Sequence, residues 1–589
     1  MTGITGIVEA PEYPSPNIVD SRRLMGANVY SEHVGALLEV RCEDAHLSAL
    51  LNAWAAGARM LASHLGWSGV ELHTRCEPRG AALFLSAPID ALMTATEINE
   101  QAWVMAERSE PPSADVMMRV SATAELERAT RPGLAGMYQA ARARALCVTF
   151  DDEIFTIGSG SGSQSWPLAA LPSVADVAWD SAHDVPVSLV TGSNGKTTTT
   201  RLVSAMWRAA GRVAGWCCSD GVWVDDTQLE SGDFSGPAGA RSVLRNARVC
   251  AAVLETARGG ILRRGLAVSR ADAAIITNIS ADHFGEYGIF TERDLADAKS
   301  AVARVLGTQG CLVLNADDVQ LVALAARLPN RIGWFSITPE NSTLQEHIRR
   351  GGSAATVQND RLMLHWNEVW HDVGSVNDMP MTLRGAAPHN TQNALGAALL
   401  AVASGVPVDA IRSTLATFGS SLLDNPGRLN VLHIGDITVL ADYAHNPDGL
   451  ASLCETARTF PANRRLLVLG QAGNRDDDQL RALVQAAWRV MPFDEVVIKE
   501  MPKLLRGRAP GQLSRIFANE LVRLGLDAKW IHIAESEFAA VQQALSLSLA
   551  GDVIVCPLHT EQAAVLKWFQ CLTDASWSAG SSFPDTVPS

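Results

Sequence analysis

A glycine-rich turn directly after an apolar, β-branched run is the feature that most constrains this 589-residue chain. Residues 187–200 read VSLVTGSNGKTTTT, which predicts a buried strand, a tight turn and then a helix. Gly192 and Gly195 let backbone N–H groups approach phosphate oxygens, and the helix turns its positive end toward the same anion. Lys196 would then reach the β- and γ-phosphates of a nucleotide, and the Thr197 hydroxyl would ligate Mg²⁺.

The spacing of this loop is G-x-x-G-K-T, which is shorter than the usual G-x-x-x-x-G-K-[ST], because Val190 stands where the first glycine is expected. The alternative is a strand, turn and helix whose glycine-rich turn binds nothing. The strand before the turn and the run of threonines that starts the helix favour a phosphate loop.

Strand and turn patterns divide the chain into three regions and a tail. Residues 1–182 carry mixed elements and predict an α+β N-terminal domain. Residues 183–425 alternate β-branched runs with helical patterns, which predicts a parallel sheet flanked by helices. The alternation restarts in residues 426–577, which predicts a smaller, Rossmann-like C-terminal domain, and residues 578–589 have the composition of a disordered tail. The predicted fold class is therefore α/β.

The charge balance limits what the chain can bind. The 63 Asp and Glu residues against 48 Lys and Arg give a net charge of −15, which disfavours nucleic acid and anionic membranes as partners. The first residues lack the basic end and apolar core of a signal peptide, and the longest apolar stretch, 394–408, is too short to span a bilayer. The ten cysteines are scattered without a C-x-x-C pair, as expected of reduced thiols. We therefore expect a cytoplasmic protein.

Three further residues are candidates for chemistry. Glu255 ends the apolar run CAAVLE, His283 follows the strand-like segment AAIITNI, and Lys299 lies on a predicted helix with an apolar face. Taken singly, such an acid is most often a helix cap or ion-pair partner, and such a histidine or lysine is most often a solvated surface residue. Behind successive strands and in register with Thr197, however, Glu255 and His283 are candidate metal ligands.

Eight motifs, in this order and spacing, resemble those of the Mur ligase family of ATP-dependent amide ligases. In chain order the motifs are TGSNGKTTTT, VLETARGG, TNISADH, AK, LNADD, HNTQNALGAA, PGRLN and DYAHNPDGL, and they cover roughly residues 185–570. The segments ETARGGILRRGL, GNRDDDQ and RGRAPGQL are similar in particular to the Mur-type half of the cyanophycin synthetases. The departures are mild: Ser193 replaces the commoner Thr, and SAD stands where many relatives have Pro or Glu before the Asp.

The resemblance implies an ATP site with two magnesium ions in the central domain. The residues that would cradle the ATP phosphates are Gly192, Ser193, Asn194, Gly195, Lys196, Thr197 and Thr198. Thr197 and Glu255 would hold one Mg²⁺, and His283 would hold a second. Lys299 matches a lysine that many members carbamylate, which would make it an anionic bridge between metals.

The resemblance also implies that the rest of the nucleotide is held by the second half of the chain. Asn390 and Asn393 match an adenine-contacting HNxxN motif, and Asp442 matches an acid that contacts the ribose. Arg428 matches an arginine that joins the central and C-terminal domains at the nucleotide. Together with Lys196, Glu255, His283 and Lys299, Arg428 completes the implied catalytic set.

Residues 1–182 resemble the amino-terminal domain of the cyanophycin synthetases through RRLMGANVYSEHVGALLEV and IFTIGSGSGSQSWP. Within this region the pattern predicts a helix over 122–145 and a strand over 155–167. In that family an ATP-grasp ligase domain follows, whereas here only a short segment separates Pro167 from Val185. We expect the N-terminal domain to bind the acceptor, and a separate ATP-grasp ligase is a candidate partner.

We therefore expect a ligase that uses ATP and Mg²⁺ to activate the carboxylate of a peptide-like acceptor as an acyl phosphate, and then couples it to the amine of an amino acid. Two alternatives stay open: a folylpolyglutamate- or poly-glutamate-type Mur ligase, and a non-catalytic nucleotide-binding partner of a separate ATP-grasp ligase. The sequence leaves open which amino acid and which acceptor are used, and whether the chain forms an oligomer.

Overall fold

The computed structural model describes residues 13–42, 46–281 and 284–584. In the described part of the N-terminal region, two small antiparallel sheets pack with four helices; the larger sheet has the order β1-β2-β4-β3 and the smaller one β5-β6-β7. The elements are β1 (Ile18–Leu24), β2 (Gly35–Arg41), α1 (Leu47–His64), β3 (Leu72–Glu77), β4 (Gly80–Ser86), α2 (Leu92–Arg108), α3 (Ala114–Thr130), α4 (Leu134–Ala143), β5 (Val148–Phe150), β6 (Ile154–Ile157) and β7 (Gln164–Pro167).

Two elements of this region differ from the sequence prediction. The helix predicted over 122–145 is two helices, α3 and α4, because Pro132 lacks a backbone donor and Gly133 takes a left-handed conformation with φ of 81°. The strand predicted over 155–167 is the hairpin β6–β7, whose strands are joined by a short 3₁₀ turn at Gly160–Gly162.

The central domain is built on an eleven-stranded sheet of order β11-β10-β9-β12-β8-β13-β14-β15-β16-β17-β18. Strands β9 to β16 in this order are parallel, as predicted, and antiparallel strands extend both edges. The elements are β8 (Val187–Thr191), α5 (Lys196–Ala209), β9 (Ala214–Cys218), β10 (Gly221–Val224), β11 (Thr227–Ser231), α6 (Pro237–Leu244), β12 (Ala251–Glu255), α7 (Arg258–Arg264), β13 (Ala271–Ile276), α8 (Glu292–Lys299), β14 (Leu306–Asn315), α9 (Val319–Ala325), β15 (Arg331–Ser336), α10 (Ser342–Arg349), β16 (Ser353–Gln358), β17 (Arg361–Trp366), β18 (Val369–Ser375), α11 (Pro388–Ala403) and α12 (Val408–Leu415).

Apolar residues cover both faces of this sheet, as a parallel sheet requires. Helices α5, α11 and α12 bury one face, and α6 to α10 pack against the other. The short strand β8 lies at the centre, between β12 and β13, and its five residues are all buried. The loop that follows β8 therefore emerges from the best-supported part of the domain.

The C-terminal domain has a six-stranded sheet of order β19-β20-β24-β21-β22-β23, in which only the edge strand β19 is antiparallel to its neighbour. Its elements are β19 (Asn430–Ile434), β20 (Ile437–Asp442), α13 (Pro447–Arg458), β21 (Arg465–Leu469), α14 (Asp477–Val490), β22 (Glu495–Lys499), α15 (Gln512–Arg523), β23 (Ile531–Ala534), α16 (Glu537–Leu547), β24 (Val553–Pro557) and α17 (Gln562–Asp574). This is the second α/β domain that the sequence predicts.

The predicted disorder after residue 577 does not hold for the described part of the tail. The ring of Phe583 lies 5.2 Å from that of Trp568 and stacks on Trp577 at 5.4 Å between centroids. The indole N–H of Trp577 donates to the carbonyl of Ser581 at 3.2 Å. Burial of these aromatic rings orders residues 578–584 against the C-terminal domain, despite their Gly- and Ser-rich composition.

The N-terminal region is joined to the central domain by shared core and hydrogen bonds. Ala27 and Cys147 belong to the apolar core under α6 and α7. The backbone N–H of Met25 donates to the carbonyl of Arg264 at 2.8 Å, and that of Leu266 donates to Ala27 at 2.8 Å. The side chain of Arg22 donates to the carbonyl of Leu262 at 3.1 Å. Strand β1 is therefore docked on α7.

None of the helices in residues 13–42, 46–281 and 284–584 is long and apolar enough to cross a membrane.

Candidate active site

The phosphate loop leaves the sheet at the edge where three parallel strands end together. Glu255, the last residue of β12, pairs in register with Val190 of β8, and Thr191 pairs with Ile276 of β13. Parallel strands bring their carboxyl ends to one edge, which is where an open α/β sheet binds ligands. The sequence order β8, β12 and β13 thus assembles the predicted site from segments that are distant along the chain.

Both loop glycines are required by close contacts as well as by backbone conformation. Gly192 has φ of 147°, and a Cβ placed there would lie 1.8 Å from the Thr277 hydroxyl. Gly195 has φ of 81°, and its Cβ would lie 2.1 Å from Oδ1 of Asn393. A side chain at either position would collide with the loop's neighbours, so the backbone path depends on glycine.

Ser193 and Asn194 anchor the loop to the segment after β13. The N–H of Ser193 donates to the carbonyl of Asn278 at 2.9 Å, and its hydroxyl accepts from the N–H of Ser280 at 3.0 Å. The N–H of Asn194 donates to Oδ1 of Asn278 at 2.9 Å. These two amides are therefore occupied within the protein. The first-turn amides of α5, at residues 196–198, lack acceptors one turn back along the helix and remain the ones suited to a phosphate.

Thr197 and Glu255 form the pair predicted for the first metal. The hydroxyl of Thr197 donates to Oε2 of Glu255 at 2.8 Å and lies 3.1 Å from the hydroxyl oxygen of Ser219. Glu255 is 2% exposed. Burial raises the pKa of Glu255, while Lys196, Thr197 and Arg428 favour its ionised form. A positive ion beside this carboxylate would relieve its burial in the charged state.

The donor set fits Mg²⁺ with the nucleotide present. Mg²⁺ favours hard oxygen ligands and usually takes one or two from protein, with waters and phosphates completing its shell. Thr197 and Glu255 supply a hydroxyl and a carboxylate next to the phosphate loop. Within the described ranges, no three or more His, Cys, Asp or Glu side chains are grouped so that they could hold a metal ion. The predicted ligand of the second metal, His283, lies outside the described residues.

Lys196 and Lys299 each donate a hydrogen bond to a backbone carbonyl of the phosphate loop. Lys196 Nζ donates to the carbonyl of Ser193 at 2.9 Å, which folds its side chain back over the loop. Lys299, at the end of α8, is 3% exposed and donates to the carbonyl of Gly192 at 2.7 Å. Lys299 is therefore a buried residue of the site and not a solvated helix residue.

The residues predicted for adenine and ribose lie at the boundary with the C-terminal domain. Asn390 and Asn393 are buried on α11, and the amide nitrogen of Asn393 donates to Oδ1 of Asn390 at 3.1 Å. Asp442 accepts a hydrogen bond of 2.7 Å from the N–H of Leu429. Burial raises the pKa of Asp442, and Arg428 opposes that rise. Thr198 is drawn into the same boundary by a 3.0 Å hydrogen bond from Asn425.

Arg428 connects the two domains through its side chain. Its Nη2 donates to the hydroxyl of Ser219 at 3.0 Å and to Oδ1 of Asp220 at 3.4 Å. Burial disfavours its charge, but Asp220 and Asp442 hold its pKa above the ordinary value. Ser219 thus touches both Arg428 and the Thr197 hydroxyl.

Several residues of this site were not predicted from the sequence, among them Ser219, Asp220, Asn278 and Asn446. Asn446 forms a side-chain hydrogen bond of 2.9 Å with Asn194 across the domain boundary. Ser219 and Asp220 directly follow β9, and Asn278 comes two residues after β13. The rule that ligands gather at strand ends would have identified these three.

Two cavities meet at the loop. A cavity of about 410 Å³ is lined by residues 193–198, Glu255, Asn390, Asn393, Arg428 and Asp442. A larger cleft of about 1090 Å³ shares Ser193, Lys196 and His445 with it, and extends between the N-terminal region and α6–α7. The phosphate loop therefore lies between a nucleotide-sized cavity and a second, wider space.

The central and C-terminal domains are similar to those of known proteins. Residues 190–401 match the Mur ligase middle domain, and residues 427–557 match the Mur ligase glutamate ligase domain. Cyanophycin synthetase of Trichormus variabilis is 35% identical over 407 residues, which are 69% of this chain and 45% of that protein. UDP-N-acetylmuramoyl-L-alanyl-D-glutamate–2,6-diaminopimelate ligase of Chlorobaculum tepidum is 32% identical over 309 residues, covering 49% of this chain and 56% of that protein.

The chain spans about half the length of the curated relatives it matches. A solved structure of E. coli FolC with ADP and without folate covers 66% of this chain and 89% of FolC, at 18% identity and a TM-score of 0.47. By its two matched domains, this chain belongs to the Mur ligase family.

Proposed function

We propose that this chain is an ATP-dependent amide ligase that activates an acceptor carboxylate as an acyl phosphate and joins it to the amine of an amino acid. The observation that supports this most is the position of the phosphate loop. Ser193 and Lys196 line both the nucleotide-sized cavity and the wider cleft. A γ-phosphoryl group held at the loop would therefore face a carboxylate bound in the cleft.

The residues at the loop have the charges that phosphoryl transfer needs. This transfer depends on positioning and on neutralising negative charge more than on covalent help from the protein. Lys196 would contact the β- and γ-phosphates once it leaves the Ser193 carbonyl. Mg²⁺, held by Thr197 and Glu255 with the phosphates, would polarise the transferring group.

The C-terminal domain would close the site over the intermediate. An acyl phosphate is hydrolysed if water reaches it, so the attacking amine must meet it in a closed space. Asn446 and Arg428 bring the C-terminal domain into contact with Asn194, Ser219 and Asp220. These polar contacts are suited to a hinge that opens and closes during turnover.

The wider cleft would hold the acceptor, with the N-terminal region as one wall. This region is docked on α7 and contributes β1 residues to the cleft. A separate ATP-grasp ligase would supply or extend such an acceptor. These roles follow the family resemblance and the cleft's position beside Lys196.

The test is phosphate release from ATP by the purified chain, measured with and without amino acids and carboxylate peptides. A ligase releases phosphate only when both an amine and an acceptor are present, and mass spectrometry finds the amide product. Release that needs neither indicates an NTPase, and the absence of turnover with retained ADP binding indicates a non-catalytic partner. Glutamate addition to a folate-type acceptor would identify the poly-glutamate alternative.

A further inference from the structure

The wide cleft beside Lys196 carries an excess of positive charge. Arg22 is paired there with Glu39 at 2.6 Å and also with Asp20, and Arg258 is paired with Glu286 at 2.6 Å. These pairs engage Asp20, Glu39 and Glu286; with Glu100 and Asp233 the cleft lining has five acids, against eight Lys and Arg residues. None of these pairs includes the two arginines at the end of α7.

Arg263 and Arg264, the last two residues of α7, line this cleft and are exposed. Within the described residues, no carboxylate oxygen lies within 4.0 Å of either guanidinium. Arg263 donates only to the carbonyl of Gly259 in its own helix, at 3.4 Å. The acid that Arg264 influences, Asp152, is already bound by two nitrogens of Arg23, at 2.6 and 3.1 Å.

Neighbouring arginines deepen this excess. Arg241 and Arg245 share one carboxylate, that of Asp151, at 3.5 and 2.6 Å. Burial lowers the pKa of Arg241, and the charges of Arg245 and Arg264 lower it further. Like charges so close together repel one another unless an anion joins them.

The cleft also has room beside these arginines. A side cavity of about 480 Å³ is lined by Glu39, Arg258, Gly259, Arg263, Glu286 and Tyr287. Both of its acids are already paired, Glu39 with Arg22 and Glu286 with Arg258. A Cβ at Gly259 would meet only Nη2 of Arg263, at 3.9 Å, so the space above the start of α7 is open. An extended ligand that reaches Lys196 can therefore continue past Arg263.

We infer that Arg263 and Arg264 bind carboxylates of the acceptor other than the one that is activated, so that the acceptor is a peptide with a net negative charge. An uncharged peptide would offer these two guanidinium groups no carboxylate, and a zwitterionic peptide would bring its own cations into a cleft whose lining already has an excess of Lys and Arg. Arginine suits the role because its planar fork binds a carboxylate through two hydrogen bonds. The inference rests on the proposed function in taking the ligand of the cleft to be a carboxylate acceptor.

The test is direct binding of three rhodamine-labelled hexapeptides, measured by fluorescence anisotropy with ADP and Mg²⁺ present. The peptides are hexa-aspartate, its uncharged counterpart hexa-asparagine, and an alternating Asp-Lys hexapeptide. The double variant Arg263→Gln, Arg264→Gln removes both charges. The matched control is Arg349→Gln, Arg350→Gln, which removes two adjacent arginines at the C-terminal end of α10 whose side chains are 68% and 75% exposed.

We expect hexa-aspartate to bind best, and the Arg263/Arg264 variant to weaken its binding by about tenfold or more, because two charge pairs in the cleft are lost. Hexa-asparagine binding and the ADP affinity should change less than about twofold, and the α10 control should match the wild type. The affinity for hexa-aspartate should also fall with added salt, less steeply in the variant.

Equal binding of the three peptides, absence of hexa-aspartate binding, or an unchanged affinity in the Arg263/Arg264 variant would overturn the inference. Because anisotropy needs no turnover, the result is independent of the ligase assay. Charge-selective binding without acceptor-dependent phosphate release would keep the inference and reject the proposed function. Ligation of neutral acceptors as efficiently as acidic ones would do the reverse.

Discussion

The guanidinium carbon of Arg428 lies 4.4 Å from the centre of the Tyr443 ring. Arg428 precedes β19 and Tyr443 follows β20, so the stacked pair spans the start of the C-terminal domain. From this position Arg428 reaches back to Ser219 and Asp220 of the central domain. The stack holds the arginine at the boundary where both domains line the nucleotide cavity.

We predict that Arg428→Lys lowers kcat/KM for ATP by about tenfold or more, because lysine keeps the charge but loses the planar stack and the fork of donors. Steady-state phosphate release at varied ATP measures this. Arg144→Lys is the matched control, since Arg144 stacks on Trp179 at 4.1 Å outside the nucleotide cavity. Equal effects of the two substitutions would mean that the Arg428 stack serves folding alone.

We predict that Lys196→Ala lowers kcat by more than about a hundredfold, because a lost charge contact of ~3 kcal/mol in the transition state has that effect. The fold should persist, since in the described residues the Lys196 ammonium makes a single hydrogen bond, to the loop carbonyl of Ser193. Circular dichroism and kcat are the measurements, with the exposed Lys529→Ala as control. An alanine variant that keeps more than about a tenth of wild-type kcat would contradict the phosphate-loop assignment.

We predict that Glu255→Gln raises Tm at neutral pH in the absence of nucleotide and Mg²⁺. Burial raises the pKa of Glu255 in the folded chain. A carboxyl with a raised folded pKa loses stabilising free energy as the pH rises from its ordinary value, about 4.3, through the raised one. Above that window the ionised Glu255 destabilises the fold, and glutamine removes the charge while keeping an acceptor for Thr197.

The gain in Tm should disappear below the ordinary carboxyl pKa, where Glu255 is protonated in both states. Thermal unfolding at acid and neutral pH checks this, with the exposed Glu455→Gln of α13 as control. Glu255→Gln should also lose most of the Tm increase that Mg²⁺-ADP gives the wild type. A lower Tm at neutral pH would mean that the ion pairing of Glu255 outweighs its burial.

The sequence predicted the fold where local signals and packing agree. The strand before Gly192 and the alternation after it were correct because buried parallel strands are continuous apolar runs. The prediction of disorder was wrong for the described part of the tail because Phe583 packs on Trp568 and Trp577. The Gly- and Ser-rich composition gives no sign of this contact. The prediction of one helix over 122–145 was wrong because Pro132 and the left-handed Gly133 separate α3 from α4.

The sequence predicted the residues that would contact the nucleotide or the metal, but not the residues that position them. Thr197 and Glu255 meet as expected, because their strands are neighbours in a parallel sheet. Ser219 and Asn446 were missed because they act through contacts to other side chains, although Ser219 directly follows β9 and Asn446 lies within the DYAHNPDGL motif. Arg428, which is distant along the chain, was predicted as a site residue only from the resemblance to the Mur ligases. The periodicity of the sequence gives no sign of it.

We predict that Lys299→Ala abolishes activity. The response of kcat to bicarbonate then shows which role Lys299 has. If Lys299 is carbamylated, kcat falls after dialysis into CO₂-free buffer and returns with bicarbonate, and acetate partly restores the alanine variant. If Lys299 acts instead as an ammonium that holds the Gly192 carbonyl, kcat is indifferent to bicarbonate and Lys299→Arg keeps part of it. Full activity of Lys299→Ala would exclude both roles.

The last prediction concerns what the chain makes alone. A polymer that is both lengthened and branched needs two ligations, and each carboxylate geometry needs its own acyl-phosphate site. In the described residues one glycine-rich phosphate loop follows a parallel strand, and only residues 168–184 lie between β7 and Val185, too few for an ATP-grasp fold.

With ATP, Mg²⁺ and free amino acids, the purified chain should therefore release little phosphate and make no long polymer. Adding a carboxylate peptide should start phosphate release and add amino acids to that peptide, because the wide cleft beside Lys196 is then filled. Phosphate release and product mass are measured together, and Lys196→Ala gives the background from contaminating ATPases. Long polymer formed without any added acceptor would contradict the prediction, since one activation site would then have served both carboxylates.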